Sequence, residues 1–292
     1  MQIDSAQLGT LVAVIDEGSF DAAARSLRMT PSAVSQRIKA LENRTGQVLV
    51  RRTKPSRPTA AGEALLRLAR QVALLETETL AAVQGVAEGI RLPIAVNADS
   101  LNSWFLPALL AMGSETYFDL HQEDQDHSAE LLRSGTVLAA VTADPVAVQG
   151  CRVEALGRMR YLSVATPEFA ERWLSGRPLA DALAVAPMMV FNRKDALQHR
   201  LMRKVTRRAL DPPTHSIPSP GPFARAIRLG LGWGMIEEDA VEHELATGRL
   251  IEVAPGRHVD VPLHWQHWKL RSAVLDSLTE AVRSAAAAGL RG

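Results

Sequence analysis

Residues 21–46 read DAAARSLRMTPSAVSQRIKALENRTG, two helical runs separated by a proline. In a helix interior proline removes a hydrogen bond and clashes with the preceding turn, whereas at the first helical position its fixed φ suits the helix. Thr30 stands directly before Pro31, and threonine is a good N-cap. The proline therefore starts a helix. Along it Val34, Ile38 and Leu41 form an apolar stripe, while Ser32, Ser35, Gln36 and Lys39 fall at i, i+3, i+4 and i+7 on the opposite side. That polar stripe is free of acids. A helix needs such a face to enter a major groove, hydrogen-bond to base edges and avoid repelling phosphates.

Upstream, Leu8, Leu11, Val12 and Ile15 mark the apolar face of a helix that follows an Asp4 or Ser5 cap and stops at Gly18. Ser19 caps a second helix through Ala22, Ala23 and Leu27, where small residues permit close packing. Downstream, Gly46 ends the helix begun at Pro31, and QVLVRRTKPSRPT (47–59) gives a short strand and a basic hairpin. Between residues 22 and 58, Arg25, Arg28, Arg37, Lys39, Arg44, Arg51, Arg52, Lys54 and Arg57 face only Glu42, which makes this segment a polyanion surface. A helix-turn-helix followed by a basic β-wing is a winged DNA-binding module. The stretch GSFDAAARSLRMTPSAVSQRIKALENRTGQVLVRR resembles the LysR-type transcriptional regulators almost position by position. The resemblance implies DNA contacts from Pro31, Ser32, Ala33, Ser35 and Gln36, with Arg51 and Arg52 on the wing, beside the Lys39 that the polar stripe itself selects.

After the wing, residues 59–89 read as one helix capped by Thr59, with Leu65, Leu68, Val72, Leu75, Thr79 and Ala82 at alternating spacings of three and four. Such a seam calls for a partner helix. The resemblance implies a linker helix that pairs in a homodimer, and a homotetramer beyond it, presenting two wings to a partly palindromic duplex with RNA polymerase as a further partner.

From RLPIAVNADSLNSWFLPALLAM onward strands alternate with helices: LPIAVN, YFDLHQED, HSAELLRSG and VLAAVTAD, then MRYLSVAT, PEFAERWL, APMMVFN, DALQHRLMRKVTRRAL, PFARAIRLGLGWGMIEEDAVEHEL, DVPLHWQHWK and SAVLDSLTEAVRSAAAAG. The fold class is α/β, with ligands expected beyond the carboxyl ends of parallel strands. The arrangement resembles the effector domain of the same regulators, two Rossmann-like subdomains around a ligand cleft as in a periplasmic binding protein. The expected organisation is a winged helix-turn-helix over 1–58, a linker helix over 59–89 and an effector domain over 90–292. Its first subdomain takes about 90–161 plus 267–292, and its second about 162–266.

The strings AVNADSLNSWFLPAL, EDQDHSAELLRSG, GLGWGMIEE and VPLHWQHWK look closest to the LysG/ArgP branch of the family, which implies L-lysine or L-arginine as effector, L-histidine as a third candidate, and control of an amino-acid exporter gene. The chain's own chemistry agrees. Residues 119–144 hold Asp119, Glu123, Asp124, Asp126, Glu130 and Asp144 against only Arg133, a charge balance suited to a cation. Ser100, Asn102 and Ser103 near a helix start offer donors to an α-carboxylate. Glu123, Asp124 and Asp144 are candidates for the cationic end. Asn192 and Glu237 end strands in the second half.

Other functions find less support. GLGWG follows a helix and precedes a strand, the reverse of the order a dinucleotide loop requires. His264 and His267 lie three apart in a strand and so on opposite faces, which argues against a shared metal. No G-x-S-x-G or P-loop occurs. Neither an enzyme nor a resident cofactor is expected. The single Cys151 suits a reducing compartment, no apolar run reaches about 18 residues and the acidic N-terminus is unlike a signal peptide, so a cytoplasmic protein without membrane partner is expected.

Overall fold

The computed structural model describes residues 3–84, 89–122 and 125–292. Helices α1 (Ser5–Asp16), α2 (Phe20–Ser26) and α3 (Pro31–Thr45) are each started by the cap the sequence offers: the Asp4 carboxylate accepts from the Ala6 N–H at 2.9 Å, and the Ser19 and Thr30 hydroxyls accept from the N–H groups of Ala22 and Ala33, both at 3.2 Å. Gly46 ends α3 with φ 67°, a left-handed cap that glycine adopts without Cβ strain. Leu11, Val14, Ala23, Val34, Ile38 and Leu41 close a small core between the three helices. The wing is β1 (Val50–Arg51) paired antiparallel with β2 (Arg57–Pro58), Arg51 opposite Arg57. It is docked onto the turn between α1 and α2 by the Ser56 N–H, which donates to the Gly18 carbonyl at 2.7 Å.

Helix α4 (Ala60–Gln84) begins at Thr59, whose hydroxyl accepts from the Gly62 N–H at 3.1 Å and donates to the Val48 carbonyl at 2.7 Å. Gly62 is required there: a Cβ would stand 2.1 Å from the Leu49 carbonyl oxygen. The helix has two working faces. Leu66, Ala69 and Leu74 are buried within the chain, while the predicted seam runs along the other side, with Leu65, Val72 and Leu75 half-buried, Leu68 39% exposed and Thr79 and Ala82 exposed. Residues 85–88, the end of the helix expected from sequence, lie outside the described residues.

The chain divides into two compact units. The first, Met1–Val96, Ala108–Glu154 and Trp265–Val282, groups the winged module and α4 with one α/β half. There β3 (Ile90–Val96) pairs in parallel with both β4 (Thr116–Gln122) and β5 (Ala139–Thr142), reached through α7 (Gln125–Ser134). This is the strand-helix-strand order that the sequence predicts. The short helices α5 (Ala98–Asn102) and α6 (Leu106–Leu110) follow β3. Gly135, φ 74°, lets the end of α7 meet α4: a Cβ there would come within 2.8 Å of Arg67 Cα.

The second unit is Asn97–Pro107, Ala155–His264 and Arg283–Gly292. Strand β6 (Cys151–Ala165) starts eight residues before the apolar run MRYLSVAT, because Arg152, Glu154, Gly157 and Arg158 break up the apolar residues of its first half, most of which is exposed or half-buried. Helices α8 (Pro167–Trp173, capped by Thr166) and α9 (Leu179–Leu183) precede β7 (Met188–Val190). Helix α10 (Leu197–Val205) is shorter than the expected run, since Thr206 takes extended backbone and Pro212 and Pro213 follow. A three-residue strand missed in the sequence, β8 (Thr214–Ser216), pairs in parallel with β7. Then come α11 (Pro220–Arg228), β9 (Gly234–Glu237), α12 (Glu238–Ala246), β10 (Ile251–Glu252), β11 (His258–Trp268) and α13 (Ala273–Gly289). Both β9 and β10 run antiparallel to β6, where βαβ repetition alone would suggest parallel pairing. Strand β9 brings Glu237 directly opposite Tyr161.

Candidate functional site

Two groups of residues carry chemistry. The first is the face of α3 and the wing. Val34, Ile38 and Leu41 point into the core, which turns Pro31, Ser32, Gln36 and Lys39 outward as exposed residues, with Ala33 and Ser35 half-buried beside them. Glu42, the one acid of the basic segment, is occupied: its Oε1 accepts from the Leu49 N–H at 2.9 Å and fixes the start of the wing. Arg51 and Arg52 are both exposed, but they differ. The Arg52 guanidinium lies 4.7 Å from the centroid of Phe20, a cation–π contact that steadies its stem at the foot of α2. The face is thus short, polar and surrounded by cations, an arrangement that suits base edges flanked by phosphates.

The second group lies in the second unit, around Asp99 on α5, Tyr161 on β6 and Glu237 at the end of β9. The Tyr161 hydroxyl donates to Asp99 Oδ2 at 2.6 Å and stands 3.0 Å from Met159 Sδ. Asp99 and Glu237 stand close enough for each carboxyl to act on the other. Burial pushes the Glu237 carboxyl up to about 8, and the neighbouring Asp99 adds to the shift. Asp99 is likewise raised by burial, against the lowering effect of the Tyr161 hydroxyl and of Glu237. The Tyr161 phenol is raised well above its usual value, by burial and then by the two carboxylates. Buried Glu237 Oε1 finds no hydrogen-bond partner in the protein, and neither do Asn97 Oδ1, Ser100 Oγ and Trp104 Nε1 in the segment that carries Asp99. Buried polar atoms are rarely left so. Two neighbouring carboxyls that keep one net negative charge, with a buried carboxylate oxygen left unpartnered, are complementary to a small cation with several N–H donors.

Of the residues predicted from sequence, Glu237 belongs to this group, and Ser100 follows Asp99 on α5, fully buried. Ser103 is occupied in α5 itself, its hydroxyl donating to the Asp99 carbonyl at 2.7 Å, and Asn102 is exposed. Asn192 caps a turn, its Oδ1 accepting from the N–H groups of Lys194 and Asp195. Asp144 lies in the first unit, exposed, its carboxylate accepting from the Val146 N–H. Glu123 and Asp124 fall outside the described residues. Asp99 and Tyr161 were missed. Asp99 reads in the sequence as an ordinary acid in the first turn of a helix, and Tyr161 as one residue of an apolar strand; only the β6–β9 register brings them to Glu237. Among the described residues no group of three His, Cys, Asp or Glu is placed so that it could hold an ion. No helix among them is long and apolar enough to cross a membrane.

Residues 5–63 match the bacterial regulatory helix-turn-helix protein, lysR family, and residues 84–287 match the LysR substrate binding domain. The HTH-type transcriptional regulator LysG of Mycobacterium tuberculosis is 51% identical over 293 residues, covering 100% of this chain and 96% of that protein. The lysine export transcriptional regulatory protein LysG of Corynebacterium glutamicum is 43% identical, covering 98% of each. The structure of full-length LysG from Corynebacterium glutamicum with bound effector Arg is 41% identical and superposes with a TM-score of 0.82, over 99% of this chain and 100% of that one. With both of its parts matched in order and along nearly its whole length, the chain belongs to the LysR family of bacterial helix-turn-helix transcriptional regulators.

Proposed function

We propose that this regulator senses a basic amino acid, L-arginine or L-lysine, and in response controls a gene for amino-acid export. The observation that carries the reading is the half-buried Asp99–Glu237 pair with buried Tyr161, a site of acid character in the effector part of a chain similar to a LysG that binds Arg. The pair takes the guanidinium or ammonium end of the effector. The fully buried hydroxyl of Ser100 and the Asn102 amide are assigned to the α-carboxylate end, with Ser103 beside them, while Asn192 is a secondary effector contact and Glu123, Asp124 and Asp144 are secondary candidates for the cationic end. On DNA, Ser32, Ala33, Ser35 and Gln36 read base edges, Pro31 opens the reading helix, and Lys39, Arg51 and Arg52 meet the backbone. The open seam of α4 supports a homodimer, and through it a tetramer, acting in the cytoplasm beside RNA polymerase. The chain acts as a regulator and not as an enzyme.

The test is a thermal-shift screen of the twenty amino acids, joined to a gel shift on the DNA upstream of an exporter gene. A ligand at about 100 times its Kd adds roughly 2.7 kcal/mol of stability. Arginine or lysine should give the largest shift and alter retention of the specific DNA. A largest shift from an uncharged amino acid would overturn the effector assignment, and sequence-indifferent retention the DNA assignment.

A further inference from the structure

Two carboxyl groups gathered at one tyrosine, with an oxygen of one of them shielded from water and unpartnered, disfavour each other's ionisation, and one proton held between them relieves the repulsion. Tyr161 decides how that proton sits. Its hydroxyl has a single hydrogen, which it gives to Asp99 Oδ2 at 2.6 Å. Asp99 is thereby held as an acceptor and Glu237 as the donor. The strand register enforces the arrangement, because Tyr161 and Glu237 stand opposite each other in the β6–β9 pair and their side chains leave the sheet on one face. The other strong charges acting on the pair are acids too, Asp195 from the turn before α10 and Asp239 from the first turn of α12. Asp195 is committed to that turn: it accepts from the N–H groups of Phe191 and Leu197 and from the Gln198 amide. Glu237 Oε1 is buried and without a partner in the protein. The cluster therefore has acceptor capacity in excess of its own donors, and a proton where a counter-charge would otherwise be.

Resting on the basic amino-acid reading above, we propose that Asp99 and Glu237 form a proton-exchanging cation site: the effector-free protein keeps one proton between the two carboxyls, and the cationic end of the effector displaces it to solvent on binding. The exchange balances. Glu237 gives up its proton to water or buffer, the guanidinium or ammonium keeps its own, and no bond of the effector changes. The regulator then reads basic amino acid and acidity together, since a lower pH holds the proton in place and weakens the effector's grip. Glu237 is the exchanging group because its carboxyl, raised to about 8, still holds a proton at neutral pH, whereas a cation placed against it draws it into the ionised range.

Calorimetric titration of the full chain with L-arginine at pH 7, in buffers of low and high ionisation enthalpy, counts the protons released. Close to one proton per arginine is expected. Between pH 6 and 7.5 the Kd should fall by about 30-fold, the limit for one proton exchanged per ligand. Glu237→Gln, with its fold checked by thermal unfolding, should still bind arginine, more weakly, with neither proton release nor the pH slope. Tyr161→Phe, which removes only the hydroxyl, should retain release. Arginine binding with no proton released and a Kd constant across this range would overturn the exchange and leave the basic amino-acid reading standing. Failure of both arginine and lysine to bind at any pH would overturn both.

Discussion

Glu237 shows how one residue links the fold to its chemistry. As a carboxyl whose folded value is raised above that of the unfolded chain, it stabilises the fold fully below about 4.5, and this contribution is lost as pH rises through about 8. The effector-free protein should therefore melt at falling temperature as pH increases from about 5 to about 8, and Glu237→Gln should flatten that slope and melt above the parent at pH 8. Melting curves across pH check this; parallel slopes in the two proteins would show that another group carries the dependence. On the DNA side, Gln36 and Arg51 are both exposed but have different tasks. Gln36→Ala should relax preference at one base pair and cost about 1–3 kcal/mol on the preferred site. Arg51→Ala should weaken all duplexes alike and reduce the salt slope by about one. Fluorescence anisotropy with specific and random duplexes at several salt concentrations separates them. Ser32, Gln36 and Lys39 were legible in the sequence because a helix period of 3.6 sorts faces without tertiary knowledge. Asp99 and Tyr161 were not, because no local pattern tells that residues 62 positions apart share a hydrogen bond.

At the scale of elements, local rules recovered most of what they govern. Thr30 before Pro31, Ser19 before Phe20 and Thr59 before α4 each give a cap that is made. The antiparallel pairing of β6 escaped because pairing direction is set by connections rather than by the strand's own sequence. Helix α4 carried two messages of which the seam was the clearer. Leu66, Ala69 and Leu74 serve the chain's own core, while Leu68 at 39% and Val83 at 78% exposure remain on the open side. Leu68→Glu with Val83→Glu should reduce the oligomeric state and, with it, tight operator binding, while leaving melting of the subunit little changed. Light scattering checks this, and an unaltered assembly would place the interface elsewhere.

At the scale of the whole molecule, α4 ties the DNA-reading module to the α/β half of its own unit. The Arg70 guanidinium pairs with Asp16 at the end of α1 and reaches the Ser134 carbonyl and the Thr136 hydroxyl, each at 3.4 Å, after α7. Arg67 donates to the Gln149 carbonyl at 2.9 Å, and Glu78 accepts from the Ser272 hydroxyl at 2.7 Å and the Val274 N–H at 2.9 Å at the start of α13. Hydrogen bonds to charged groups contribute about 1.5–3 kcal/mol each when well buried, and less for a half-exposed partner such as Asp16. Arg70→Ala should therefore lower stability by about 1 kcal/mol while leaving arginine affinity unchanged, since the carboxylate pair lies in the other unit.

Effector sensing depends on a cation being read by a half-buried pair of acids, and one comparison tests that most directly: titration of the full chain with L-arginine and with L-citrulline, which keeps the shape and the α-groups but has no charge on its side chain. Leaving a buried carboxylate without its counter-charge costs several kcal/mol, so arginine should bind one per chain and citrulline at least about 100-fold more weakly. Equal affinity for the two would contradict it.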